Sequence, residues 1–463
     1  MEKDGIIVTD SFEKAEKLRE QYEWVYSEPD EKWLIPDVNQ FFSISSCKQN
    51  NANKQSERTS DRPRAAGVAV SEIQGVAEIQ GDAEIQGVTE IQGVAKIQAL
   101  SKNMAGSDIE QATPHISPPV QKSLELDGVF FDFTDVTLAI DSIPHGASPG
   151  PDGVPPSLLK KSKVNIARML LVIWQDSYDT GNIPDILKLA LVSPIHKGGS
   201  RAEPSQYRPI SLTSHIIKVM ERMLRKQIVG FLEINEKMDP NQHGSRGKRS
   251  CLSQLLEHHL EILDMLERGE NVDLVYLDFA KAFDKCDINL LLHKTKALGI
   301  TGKVGRWIHS FLIQRKQNII VNGTKSKDSN VLSGVPQGTV LGPLLFLIYI
   351  ADIGEKFTST IKVYVDDTKL KKSIKTETDV EHLQEDLETL YTWAEENNMK
   401  FNGTKFQVLR LGNNSDLKDD TVYFTENMSN IIEQFETIKD LGVVMNDQAT
   451  FKNHIEKALK KAR

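Results

Sequence analysis

Cysteine is scarce in this chain of 463 residues: Cys47, Cys251 and Cys286 are an odd number, and no two form a C-x-x-C pair. That excludes a disulfide framework, offers no cysteine-based zinc site and fits a reducing compartment. Long apolar runs are missing as well. The longest, Leu344 to Ala351, is far too short to cross a bilayer, and Met1-Glu2-Lys3-Asp4 is not followed by the apolar core of a secretory signal. The reading is an intracellular protein of the cytoplasm, the nucleus or both, with no membrane partner. An excess of positive charge is also absent, with 56 Lys and Arg against 65 Asp and Glu. Residues 1 to 100 hold 11 basic and 18 acidic groups, leaving 45 and 47 for the remainder, which is nearly neutral. This balance neither requires nor excludes a nucleic-acid partner, because such affinity follows local basic surface. A hydrophobic share of 39% is enough for a sizeable core.

Along the chain, Phe12, Ala15, Leu18, Tyr22 and Val25 recur at helical spacing after Asp10-Ser11, predicting an amphipathic helix within an N-terminal extension, residues 1–44. Residues 45–122 read as a disordered linker. Part of it repeats every six residues, with Ile73, Ile79, Ile85 and Ile91 in equivalent places. A six-residue period cannot form a stripe on a helix, and too few copies are present to stack as a β-helix. From about residue 124 the pattern is that of a folded domain. Helices are expected over 164–179, 214–232 and 250–268, the last with Leu252, Leu255, Leu256, His259, Leu260, Leu263 and Leu266 as its apolar face. His258 and His259 there read as surface and packing residues.

Two stretches carry chemistry. Asp273-Leu274-Val275-Tyr276-Leu277-Asp278 reads as a strand tipped by an acid, and Lys362-Val363-Tyr364-Val365-Asp366-Asp367 ends in two. Alternation puts Val363 and Val365 on a buried face and Tyr364 and Asp366 on the other, with Asp367 in the turn. An isolated Asp-Asp is ordinarily a solvated turn. Three carboxylates at the ends of two neighbouring strands instead suit a pair of Mg²⁺ ions. Between the two strands, Gly334, Gly338 and Gly342 recur every four residues in Ser333-Gly334-Val335-Pro336-Gln337-Gly338-Thr339-Val340-Leu341-Gly342-Pro343 and bare the backbone on one side of a turn entering an apolar helix. That surface suits either tight packing or a nucleotide or template base.

The stretches Leu277-Asp278-Phe279-Ala280-Lys281-Ala282-Phe283-Asp284, Ser333 to Pro343 and Tyr364-Val365-Asp366-Asp367 stand in an order and spacing that resembles the reverse transcriptases of non-LTR, jockey-like retrotransposons. Ser148 to Gly153, Tyr207 to Leu212, Lys400 to Lys405 and Asp440 to Val443 are similar to further blocks of that family. The resemblance covers about residues 124–463 and extends to the helix near Glu13 to Tyr26. It implies an α+β right-hand polymerase: helical fingers over 124–268, an antiparallel palm sheet over 269–430, and a primer-grip region with the start of a truncated thumb over 431–463. It also implies RNA-directed DNA synthesis, in which dNTPs are added to a primer 3′-hydroxyl on an RNA template with two Mg²⁺ ions, Mn²⁺ being the alternative. By position, Asp278, Asp366 and Asp367 match the family's catalytic metal-binding residues. Lys405 matches a lysine that protonates the leaving pyrophosphate, and Phe283 a gate against ribonucleotides. Gln337 and Gly338 match a template and nucleotide contact, Arg208 and Lys197 triphosphate-gripping residues, and Leu441 and Gly442 the primer grip. Lys285-Cys286 departs from the family pattern. The rival reading is an element fragment that binds RNA or DNA without polymerising.

Overall fold

The computed structural model describes residues 2–3, 6–26, 125–354, 357–412, 421–425 and 430–462. The linker and its hexapeptide repeat lie outside these residues. The first helix, α1 (Ser11–Val25), starts where Asp10 accepts the backbone N–H groups of Phe12 and Glu13 at 2.8 and 2.9 Å. Ala15, Leu18, Tyr22 and Val25 are buried as the spacing predicts, whereas Phe12 stays exposed.

Helices α2 (Phe133–Asp141) and α3 (Lys163–Thr180) precede a hairpin of β1 (Leu189–His196) and β2 (Tyr207–Leu212). Two long helices follow, α4 (His215–Ile234), capped by Ser214, and α5 (Cys251–Glu267), capped by Ser250. After β3 (Asn271–Asp278) come α6 (Ile288–Ala297), α7 (Gly302–Leu312) and the strands β4 (Arg315–Val321), β5 (Thr324–Lys325) and β6 (Ser329–Val331). The apolar α8 (Gly342–Tyr349) leads to β7 (Thr360–Tyr364) and β8 (Asp367–Ile374), and then to α9 (Glu377–Glu396) and β9 (Gln407–Leu411). A two-stranded ribbon, β10 (Thr437–Asp440) and β11 (Val443–Asn446), and the helix α10 (Lys452–Ala462) come last.

The strands make two larger sheets in a mixed α/β fold. One runs β9-β3-β8-β7, antiparallel throughout. The other runs β2-β1-β4-β5 with β6 on β4, and its β1–β4 pairing is parallel. The segment before residue 268 is therefore not purely helical, and its hairpin is completed by strands from beyond that boundary. Helix α1 packs on this second sheet, where Ala15, Leu18, Tyr22 and Val25 meet Val192 and Ile319.

Both faces of the antiparallel sheet are covered, as the alternation along β3 requires. Val275 and Leu277 join the main core with α4, α6, α8 and α9, while Val272 and Leu274 face Ile262 of α5 and Ile438 and Met445 of the ribbon. The expected apolar face of α5 is displaced. Gln254, His258 and Ile262 are its buried residues, and Leu252, Leu256 and Leu260 are exposed at 64%, 52% and 45%. The reason is the sheet face beneath it, which carries Lys362, Lys369 and Lys371, all buried. Against these cations the helix presents acids: Glu257 bonds Lys362, and Glu261 bonds both Lys362, at 3.1 Å, and Lys371. His258, buried beside the same lysines, is held well below the usual histidine range by lost hydration and then by their charge. Its partner His259 packs on Phe451 at 4.6 Å between ring centroids.

Candidate active site

The register of β3 and β8 places Asp278 directly across from Asp367, with Tyr276 across from Lys369 on the same face. The β7–β8 turn falls one residue earlier than alternation predicts. Tyr364 pairs with Asp367, so Val365 and Asp366 form the two-residue turn and Asp367 opens the next strand. A two-residue hairpin needs positive φ at its first position, and Val365 takes φ 60°, an unfavourable place for a β-branched residue. Gln242 holds it there. Its buried side-chain oxygen accepts the N–H groups of Val365 at 3.0 Å and Gly244 at 2.7 Å, while Asn241 and His243 bond the backbone of Val363.

Lys405 reaches the same spot from the other edge. Backbone bonds from Ala280 to Lys400 and from Asn402 to Asp278, both 2.8 Å, strap the 400–405 segment along the end of β3. The Lys405 ammonium then lies 2.5 Å from Asp278 Oδ2. Asp278, Asp367, Lys405 and Leu441 border one cavity of about 150 Å³ with Gln254 and the Lys369–Asp440 ion pair. Leu441 gets there because it and Gly442 form the β10–β11 turn, with φ 44° and 93°.

Crowding of negative charge marks this end of the sheet. Asp367 borders an open cleft, yet lost hydration among the cleft walls, followed by the charges of Asp366, Asp278 and Asp440, pushes its carboxyl up to about 6. Asp366 is raised too, by burial and then by Asp278, against the opposing pull of Lys405 and Arg208. A divalent cation relieves this kind of repulsion, and an all-carboxylate donor set is the type Mg²⁺ takes. The ready-made cage expected of the three acids is not present. Among the described residues, no three Asp, Glu, His or Cys side chains are gathered closely enough to hold a metal ion as they stand. The ammonium of Lys405 engages Asp278 instead. The three carboxylates thus fit a divalent ion by donor type and charge, and no geometry for it follows.

The remaining predicted residues gather on a neighbouring surface. Arg208 pairs with Ile195 near the end of the β1–β2 hairpin, where the Lys197 N–H donates to Gln206 O at 2.8 Å and both side chains are exposed. Gln337 and Gly338 are stapled to the same hairpin. Ser211 N–H donates to Gln337 O at 3.1 Å, and a Cβ on Gly338 would stand 2.5 Å from Ser211 O. Glu221 anchors the following turn by accepting the N–H groups of Val340 and Leu341 at 2.6 and 2.9 Å. Phe283 stacks on Phe346 with centroids 4.5 Å apart. Asp284, Tyr26, Lys369 and Asp440 were not singled out from the sequence. The motifs around Asp284 and Asp440 were visible there but the pairings were not, since the partners lie between 53 and 258 residues away.

Comparison with known proteins agrees with the resemblance. The chain is 28% identical over 355 residues to the RNA-directed DNA polymerase from mobile element jockey of Drosophila melanogaster, covering 74% of this chain and 38% of that protein. It is 27% and 26% identical to the probable RNA-directed DNA polymerases from transposon BS and transposon X-element of the same species, over 75% of this chain and 39% and 38% of theirs. The chain thus spans about two fifths of the length of these relatives. Among solved structures it is similar to apo telomerase from Candida Tropicalis truncated from C-terminal domain, at a TM-score of 0.41 and 12% identity, over 62% of this chain and 60% of that one. Among the described residues no helix is long and apolar enough to cross a membrane. Residues 195–445, more than half of the chain, match the reverse transcriptase (RNA-dependent DNA polymerase) family, to which this chain belongs.

Proposed function

We propose that this chain is the polymerising core of an intracellular non-LTR retrotransposon reverse transcriptase, adding dNTPs to a primer 3′-hydroxyl on an RNA template. The observation that carries the reading is the β3–β8 register, which sets Asp278 against Asp367 with Asp366 in the adjoining turn. On this reading residues 124–268 are fingers, 269–430 the palm, and 431–463 the primer-grip ribbon and the start of a thumb. Asp278, Asp366 and Asp367 would hold two Mg²⁺ ions, or Mn²⁺ in their place. Bound there, the ions supply charge neutralisation for the triphosphate and a lower pKa for the attacking hydroxyl.

The chain's own groups do the rest. Arg208 offers a planar fork to triphosphate oxygens and Lys197 a point charge beside it. Phe283, fixed by its stack on Phe346, would stand against the sugar, and Gln337, seated with Gly338 against the β1–β2 hairpin, would stand against the nucleotide and its template base. Lys405 stands beside Asp278, placed to donate a proton to the leaving pyrophosphate.

The test is primer extension on an RNA template with dNTPs and either Mg²⁺ or Mn²⁺. Asp366→Asn or Asp367→Asn lowers extension by about a thousandfold or more with the fold unchanged, since each removes a charge used in the transition state. Unaltered extension by these variants overturns the assignment. RNA binding with no extension by the unmodified chain would favour the non-polymerising fragment.

A further inference from the structure

Asp284 is 5% exposed, and its Oδ1 accepts two hydrogen bonds from distant parts of the chain. Tyr26 Oη, just past the end of α1, donates at 3.0 Å, and Gln337 Nε2 donates at 2.7 Å. A buried carboxylate is costly unless donors satisfy it, so a protein that keeps one has committed its donors to fixed positions. Here one of the donors is the side chain that the polymerase reading places against the nucleotide.

The surrounding backbone leaves these groups little slack. Leu332 N–H donates to Tyr26 O at 3.2 Å, and Ser333 Oγ to Asp284 O at 2.9 Å. Gly334 N–H donates to Cys286 O and Val335 N–H to Phe283 O, both at 2.8 Å. Gly334 has φ 83°, and a Cβ there would stand 2.7 Å from Asp284 O and 2.8 Å from Phe283 O, so the two loops meet backbone to backbone. Tyr26 therefore sits where three segments join. These are the end of α1, the loop carrying Phe283 and the loop carrying Gln337.

We propose that Tyr26 and Asp284 are positioning residues that set Gln337 and the Phe283 loop for the incoming nucleotide, which makes helix α1 part of the nucleotide-selecting apparatus. The inference rests on the polymerase reading for its kinetic consequence and on the hydrogen-bond geometry for its structural one. Neither residue touches the nucleotide. Each acts through Gln337 and Phe283, so the loss on mutation falls on nucleotide affinity and sugar choice rather than on the chemical step.

The experiment uses the full chain with Tyr26→Phe, Asp284→Asn, Gln337→Ala and the Tyr26→Phe/Gln337→Ala double variant. Single-nucleotide incorporation gives KM and kcat for dNTP and rNTP, and hydrogen exchange reports the amides of Gly334 and Val335. Tyr26→Phe raises the dNTP KM about threefold to tenfold, the scale of one ordinary lost hydrogen bond, with kcat altered far less. Asp284→Asn, which keeps a carbonyl acceptor, moves KM in the same direction. The double variant shows less than the product of the single effects, because both remove the same constraint. Exchange at Gly334 and Val335 quickens in Tyr26→Phe. A purely structural role predicts a lower melting temperature with KM unchanged, and that result overturns the proposal. If the unmodified chain extends no primer, the polymerase reading fails on its own. In that case, unaltered exchange in Tyr26→Phe overturns the positioning role as well, and faster exchange sustains its structural part.

Discussion

The Lys405 ammonium and the Asp278 carboxylate lie 2.5 Å apart at the end of the strand whose register sets Asp278 against Asp367. The pair is open to solvent, with the lysine side chain 59% exposed, so it adds little to stability. Its weight is electrostatic: one cation already answers the negative charge that a divalent ion would meet.

Replacing Lys405 with Met frees Asp278 and removes a repulsive charge from the site. Mn²⁺ or Mg²⁺ then binds about fivefold tighter, the scale of a charge contact near water-exposed groups. Primer extension falls at the same time, because the leaving pyrophosphate loses its donor. Calorimetric titration of the two proteins with Mn²⁺ checks the first half, and weaker binding by the variant would refute it.

Asp367 has a carboxyl pushed up to about 6 from 3.8. The folded chain therefore holds this proton more tightly than the unfolded chain does, and stability from this group is lost as pH rises from about 4 to 6. Asp367→Asn removes that slope. With no divalent ion present, the variant melts about 2 °C higher than the unmodified chain at pH 7, after discounting for solvent screening, and at nearly the same temperature at pH 4. Added Mg²⁺ stabilises only the unmodified chain. Melting curves across pH, with and without Mg²⁺, settle the matter, and parallel profiles would sink the claim.

Phe283 keeps its ring in place by stacking on Phe346. Phe283→Val shortens the side chain, and rNTP use relative to dNTP rises at least about tenfold, with dNTP incorporation reduced much less. Competition between the two nucleotides in single-turnover assays measures the ratio. Unchanged sugar discrimination would dismiss the gate.

Much of this was legible in the linear chain. Acid-tipped strands announce themselves through alternation, and the glycines at 334, 338 and 342 mark a close backbone approach, because both signals are local. Helix ends at Asp10, Ser214 and Ser250 were legible for the same reason. Three readings erred where a distant partner decided the outcome. The β7–β8 turn shifted by one residue because Gln242 supports Val365 at φ 60°. Leu252, Leu256 and Leu260 of α5 face outward because the helix's buried side covers lysines, while Leu263 and Leu266 pack on the second core. The strands beyond residue 268 joined the hairpin before it, which no pattern in either segment records.

The amino-acid order by itself determined which residue types the site contains and in what sequence, since motifs, caps and periodicities depend on neighbours a few positions away. Only the tertiary structure decided which groups share a proton, a charge or a hydrogen bond: Asp278 across from Asp367, Lys405 on Asp278, Tyr26 and Gln337 on one oxygen of Asp284. Those pairings depend on distances of a few ångströms between segments up to 258 residues apart, and only chain folding sets such distances.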